Sequence, residues 1–95
     1  MTWPSLVMAA GEKHEGGNLS STSFTKKNLS DAMFMNCRLD DSRFDNANGT
    51  GISFKGSVGN ATSFRATAFT EVDFSSTSFP SSDFRSVDFH GVDFR

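Results

Sequence analysis

The sequence contains no tyrosine, one tryptophan, one isoleucine, one cysteine and two prolines in 95 residues. A single cysteine excludes an intramolecular disulfide framework and a four-cysteine zinc site. No apolar run approaches the roughly 18 residues of a membrane span. The N-terminal stretch lacks a basic segment, and its apolar part, Leu6 to Ala10, is shorter than a secretory core requires. Neither charge sign dominates: the net charge is −2 and the pI about 5.5. That excludes a strongly basic nucleic-acid binder. These absences predict a soluble cytoplasmic protein of one small domain. The alternative is a secreted effector without a classical signal peptide. A free thiol agrees with a reducing compartment.

What is present is phenylalanine. The eleven Phe stand at 24, 34, 44, 54, 64, 69, 74, 79, 84, 89 and 94, and all differ by multiples of five. Chance would produce one shared phase about once in ten million trials, so the spacing is a repeat signal. The remaining slots of this phase from residue 19 hold Leu19, Leu29, Leu39, Gly49 and Gly59. Two residues before each centre, from Thr22 to Val92, every position but Lys27 is small or β-branched. Of seventeen charged residues from Lys26 onward, sixteen lie one before, one after or two after a centre. Two inward and three outward positions per quintet account for the pattern. Neither an α-helix nor a flat strand can bury a period of five. The chain must turn once per quintet and stack its turns, as solenoids do.

The run Val72-Asp73-Phe74-Ser75-Ser76 through Val92-Asp93-Phe94-Arg95 resembles the pentapeptide-repeat family, whose quintet is typically Ala-Asp/Asn-Leu/Phe-x-x. The likeness spans about residues 17 to 95 and is most specific from Thr62 onward. It implies an all-β solenoid: a right-handed, four-sided β-helix of about four coils, with four quintets per coil. Residues 1–16 are expected to form a cap or linker, with a short N-terminal helix before a Gly-rich connection at Gly11–Asn18 that holds His14. Residues 17–95 are expected to form the β-helix.

With four sides, residues n and n + 20 stack about 4.8 Å apart. Two opposite sides then carry only Phe, and the other two mix Leu, Gly and Phe. Large residues on one opposing pair compensate smaller ones on the other. Phe69 and Phe79 are expected to lean into the spaces at Gly49 and Gly59, with local loops there as the alternative. Lys27 points inward and is expected to escape past the end of an irregular first coil.

Catalytic chemistry has little support. His14 and His90 are the only histidines, no serine sits in a Gly-x-Ser-x-Gly elbow, and Cys37 occupies an inward slot. No His/Cys cluster suggests a metal and no Gly-Lys-Ser/Thr loop suggests phosphate, so no cofactor is expected. Asp45 is expected to pair with Arg65 one coil above. The candidate surface is the last coil. Phe79, Phe84, Phe89 and Phe94 would face the end of this sequence, rimmed by Asp73, Asp83, Asp88 and Asp93; the expectation is either a longer solenoid of which this is a fragment or an end that docks on a partner. The expected function is non-enzymatic: a rigid interaction or structural module with a protein partner, including a homodimer through the C-terminal end. No direct nucleic-acid or membrane binding is expected. The resemblance also offers an alternative, because some family members mimic DNA and bind DNA gyrase in quinolone resistance. The repeat region, with nine acids against eight bases, is weakly charged for mimicry of a duplex.

Overall fold

The structure, a computed structural model, describes residues 11–94. The expected N-terminal helix and the apolar residues Trp3, Leu6 and Met8 lie outside the described residues. Five short strands follow one another: β1 (Lys13–Glu15), β2 (Met33–Met35), β3 (Asn48–Thr50), β4 (Ala68–Thr70) and β5 (Asp88–His90). All pairing among the described residues is parallel. β1 pairs β2 and β4 lies between β3 and β5. Isolated bridges such as Asn18 with Arg38, Arg43 with Ser63 and Asp73 with Asp93 continue the same register. Every pairing joins residue n to residue n + 20, so one rung is four quintets.

Backbone groups explain the repeat. Each centre donates its N–H upward to the carbonyl of residue n + 19, as Leu19 does to Arg38 (2.8 Å) and Phe44 to Ser63 (2.7 Å). The residue before each centre donates downward, as Arg38 does to Gly17 (2.9 Å). Between centres the chain turns sharply. Every fifth residue from Gly11 to Gly91, two after a centre, has positive φ. Where the turn closes, the N–H three after the centre bonds the centre carbonyl, as Ala47 does to Phe44 (2.9 Å). A positive φ at the third residue is the geometry of a type II turn, which favours Gly and Asn. Gly11, Gly16, Gly51, Gly56, Gly91, Asn36 and Asn46 occupy that position.

The core is built of columns. Phe24, Phe44, Phe64 and Phe84 stack at 4.7, 5.0 and 4.9 Å with rings within 8° of parallel. Phe34, Phe54, Phe74 and Phe94 stack at 5.1, 5.1 and 5.3 Å. The two columns meet edge to face across the axis, as Phe44 does with Phe54 at 5.3 Å and 84°. Both geometries suit the ring quadrupole. The opposing-pair packing expected from the sequence is therefore present. The small slots seal the rungs. Ser42 and Thr62 donate to the carbonyls of Leu19 (2.7 Å) and Leu39 (2.8 Å), and Ser57 donates to that of Phe34. These buried hydroxyls thus have partners, as low-dielectric surroundings require.

Both glycine slots lie in regular rungs, so the loop alternative is excluded. Gly49 is the middle of β3 and pairs with Phe69; Gly59 donates to Ser78 (2.9 Å). The Phe79 ring reaches down to Phe54 (6.5 Å) and Phe64 (5.3 Å), which flank Gly59. Phe69 likewise meets Phe54 of the rung below at 6.1 Å. Lys27 is half-buried, and its N–H closes a turn on Phe24 (3.2 Å).

The stretch read as a Gly-rich connection differs from expectation. β1 lies within it, and His14 occupies a centre slot in phase with the Phe columns, its ring 5.9 Å from Phe34 and 14° from parallel. The polar, glycine-rich composition hid this, because the two flanking glycines serve turns rather than a linker. His14 Nε2 is buried without a hydrogen-bond partner among the described residues, with Glu12 Oε2 3.7 Å away. An orphaned buried polar atom costs about 1–3 kcal/mol. His14→Phe is therefore expected to stabilise the fold by about 1 kcal/mol, raising Tm by several degrees in thermal unfolding. An unchanged or lower Tm would show that the imidazole nitrogen is satisfied.

Candidate interaction surface at the last rung

The aspartates one before each centre owe their place first to the backbone. Asn18 and Asn28 accept the N–H two residues on at 3.1 Å each. Asp73 accepts the Ser75 N–H (2.8 Å) and hydroxyl (2.5 Å), and Asp83 accepts the Arg85 N–H (3.0 Å). A short side-chain acceptor at this position forms an Asx turn that braces the corner. That is the physical content of Asp or Asn where either precedes a centre, as at Asn18, Asn28, Asp73 and Asp83.

Asp83 is the most constrained of the four candidate acids. Arg85 binds it with Nε at 3.0 and 3.1 Å and Nη2 at 2.7 Å, and Arg65 Nε approaches to 3.7 Å. The Arg85 side chain and backbone hold the carboxyl at about 2, below its ordinary 3.8. A depressed carboxyl adds stability above its unfolded value and loses it as pH falls through the folded value. The Tm gap between the native chain and Asp83→Asn should thus be constant above pH 5 and shrink between pH 4 and 2. A gap that persists at pH 2 would remove the assignment.

The structure corrects the expected pairing of Asp45 with the Arg65 side chain. Asp45 accepts the Arg65 backbone N–H (3.2 Å) and the Ser63 hydroxyl (2.5 Å), while the Arg65 guanidinium turns to Asp83. These groups line a shallow groove of about 320 Å³ in which both charge signs alternate.

The other candidate acids stand near the end. Asp88 pairs with His90 at 2.8 Å, both side chains 71% exposed. Asp93 lies directly above Asp73. Among the candidate phenylalanines, Phe79, Phe84 and Phe89 are half-buried and Phe94 is 66% exposed, whereas Phe24, Phe44 and Phe64 are fully buried. The register explains the gradient, since each ring is sealed by the rung above it. By the same register the N–H groups of Phe79, Phe84 and Phe89 point outward, and no described residue accepts them. The last described rung thus joins half-buried Phe rings and a rim of carboxylates. The structure brings the eight candidate residues to one end of the stack.

The nucleophile candidates are not brought together. Cys37 is 1% exposed and its thiol donates to the His14 carbonyl (3.2 Å), taking the role that Ser and Thr fill in other rungs. Burial pushes that thiol up from its ordinary range. His90 lies at the opposite end in β5. No group of three His, Cys, Asp or Glu among the described residues could hold a metal. No helix among them is long and apolar enough to cross a membrane.

The chain is similar to three solved structures at low identity. One is the pentapeptide repeat protein Rfr23 from the cyanobacterium Cyanothece 51142: identity 12%, 87% of this chain and 64% of that chain covered, TM-score 0.38. Another is HetL, a pentapeptide repeat protein involved in heterocyst differentiation regulation in Nostoc sp. strain PCC 7120: identity 9%, coverage 92% and 54%, TM-score 0.34. The third is trypsin-treated QnrB1, a plasmid-mediated fluoroquinolone resistance protein: identity 13%, coverage 99% and 73%, TM-score 0.35. The chain spans under two thirds of the length of Rfr23 and about half that of HetL. No curated protein matches it. The profile of the family described as Pentapeptide repeats matches in eight copies over residues 18–48 and 60–95. The unmatched residues between these segments run from Gly49 to Gly59, which are the two slots without a side chain. Through those eight copies, the shared five-residue phase and the parallel rungs, the chain belongs to the pentapeptide-repeat family.

Proposed function

We propose that this chain is a non-enzymatic interaction module: a right-handed, four-sided β-helix that includes β1 and continues over residues 17–95, engaging a protein partner through its polar sides. One observation carries the reading. The Phe columns from Phe24 to Phe74 fill the interior and are fully buried, so the chain's polar chemistry is carried on the outer sides of the stack. The columns are rigid because each ring is held on several sides, so those sides are presented without much ordering cost on binding. A cytoplasmic location, with secretion as an effector the second reading, fits the free thiol.

Hydrogen exchange followed by NMR tests the rigid rod. The amides of Phe44, Phe54 and Phe64 are expected to be protected at least about a hundredfold over the unfolded chain. Exchange at the unfolded rate would remove the reading. A gyrase supercoiling assay at micromolar protein is expected to show no inhibition. Clear inhibition would replace the module with a DNA-mimicking gyrase binder.

A further inference from the structure

We infer that the side of the stack over Phe24, Phe44, Phe64 and Phe84 docks an extended, acidic segment of a partner protein. This rests on the polar sides being the interaction surface, and adds which side is used and the chemistry of its partner.

Charge is shared unevenly among the sides. The four quintets of this side, residues 22–26, 42–46, 62–66 and 82–86, hold Lys26, Arg43, Arg65 and Arg85 against Asp45 and Asp83, so four positive and two negative give +2. The whole chain is −2, so the residues outside this side sum to −4. Each rung of this side contributes one cation, and all four are exposed. Both acids are half-buried and are spent on the chain itself. Asp45 accepts the Ser63 hydroxyl and the Arg65 backbone N–H; Asp83 accepts the Arg85 backbone N–H and guanidinium. Asp41, at the corner with the neighbouring side, forms the far wall of the groove and so bounds the docking face.

The arginines state what the segment must carry. Arg65 and Arg85 each follow a centre by one and lie in adjacent rungs, about 4.8 Å apart along the stack, joined by the Ala66 N–H to the Arg85 carbonyl. Like charges facing each other on neighbouring strands repel. Asp83 stands 2.7 Å from Arg85 Nη2 and 3.7 Å from Arg65 Nε, and one carboxylate neutralises only one of the two. The Arg65 side chain is 57% exposed. A carboxylate from outside completes the pairing, in the forked geometry that guanidinium favours. Alternate side chains of an extended segment lie roughly 6.6–6.8 Å apart, so three of them fall within the roughly 14 Å spanned by four rungs. A nucleic acid fits less well: no outward position of this side is aromatic, and the rest of the chain repels a polyanion. A second copy also fits less well, since Asp31 and Glu71 of its neighbouring side stand two rungs apart with Gly51 between, out of step with arginines in adjacent rungs.

Three probes are titrated into the 15N-labelled chain and followed at the arginine Nε–H signals: two eight-residue peptides, one alternating Glu and Ser and one alternating Lys and Ser, and an eight-nucleotide oligothymidylate. The Glu/Ser peptide is expected to shift the signals of Arg43, Arg65 and Arg85 together, and to weaken about tenfold between roughly 50 and 500 mM salt. The Lys/Ser peptide should not bind. Arg43→Glu and Arg65→Glu combined should abolish Glu/Ser binding at unchanged circular dichroism. Arg43→Gln and Arg65→Gln combined should weaken it severalfold without adding repulsion. Glu/Ser binding that survives both pairs of changes, or that shifts no arginine signal, would overturn the docking face. Equal binding of the Lys/Ser peptide would overturn the acidic partner, and oligothymidylate binding as tightly as Glu/Ser would overturn the protein partner. If sedimentation shows self-association that Arg65→Glu abolishes, a second copy is the occupant and the inference falls. If neither peptide binds, the docking face falls by itself, because the module is tested separately by the amide protection of Phe44, Phe54 and Phe64.

Discussion

Phe54→Ala is expected to remove about 3–5 kcal/mol of stability, lowering Tm by roughly 12–30 °C. Phe54 stacks between Phe34 and Phe74 at 5.1 Å each and meets Phe44, Phe64, Phe69 and Phe79 at 5.3 to 6.5 Å. Its own rung holds Gly49 and Gly59, so no neighbouring side chain in that rung can fill the hole. The surviving cavity adds to the lost transfer energy, which places the change at the upper end of the range. A domain of this size has of order 5–14 kcal/mol in total. Phe94→Ala removes the same atoms from a site that is 66% exposed, and should cost under about 1 kcal/mol. Thermal unfolding followed by circular dichroism separates the two. Equal losses at both sites would show that the rings are not sealed rung by rung.

Gly49→Ala is the second large effect, expected at about 2–5 kcal/mol. A Cβ at Gly49 would stand 2.7 Å from the Ser30 nitrogen and 2.8 Å from the Leu29 carbonyl carbon, both backbone, at φ +154°. Backbone cannot step aside without moving the bridge between Asn28 and Asn48. Overpacking of that kind costs about 1–3 kcal/mol, and the unfavourable φ about 1–2 more. Two turn glycines serve as controls. At Gly56 the added carbon meets the Asn36 side-chain oxygen, which can rotate away, and at Gly91 nothing lies closer than 3.6 Å. Both keep only the cost of positive φ, about 1 kcal/mol each. Denaturant midpoints should rank Gly49→Ala well below the other two. Three similar values would place the effect in φ alone and remove the contact with the rung below.

How much of this was readable from residues alone differs by level. The Phe phase named the core correctly, since Phe24, Phe34, Phe44, Phe54, Phe64, Phe69 and Phe74 are all fully buried. The candidate acids were visible as residues preceding centres. Their bracing of corners was not, since a carboxylate looks the same whether it faces solvent or accepts a backbone N–H. His14 was passed over because its neighbours are polar, although position 14 shares the phase of every Phe. The turn position two after each centre was also in plain view, filled by Gly, Asn or Asp about half the time and by Ser, Ala, Lys or Glu otherwise. A signal spread over several residue types is weaker than one carried by Phe, so it escaped notice.

A period of five determined by itself that the chain must turn once per quintet and bury one ring in each, because no other arrangement keeps every Phe away from water. It did not determine how many quintets close a rung, since any even number gives the alternation of pure and mixed columns. The tertiary structure decided that, through backbone hydrogen bonds that join residue n to residue n + 19 and return 21 residues. Such bonds use groups that every residue possesses, so the side-chain sequence carries no mark of them. Only the folded chain shows which rung each donor meets.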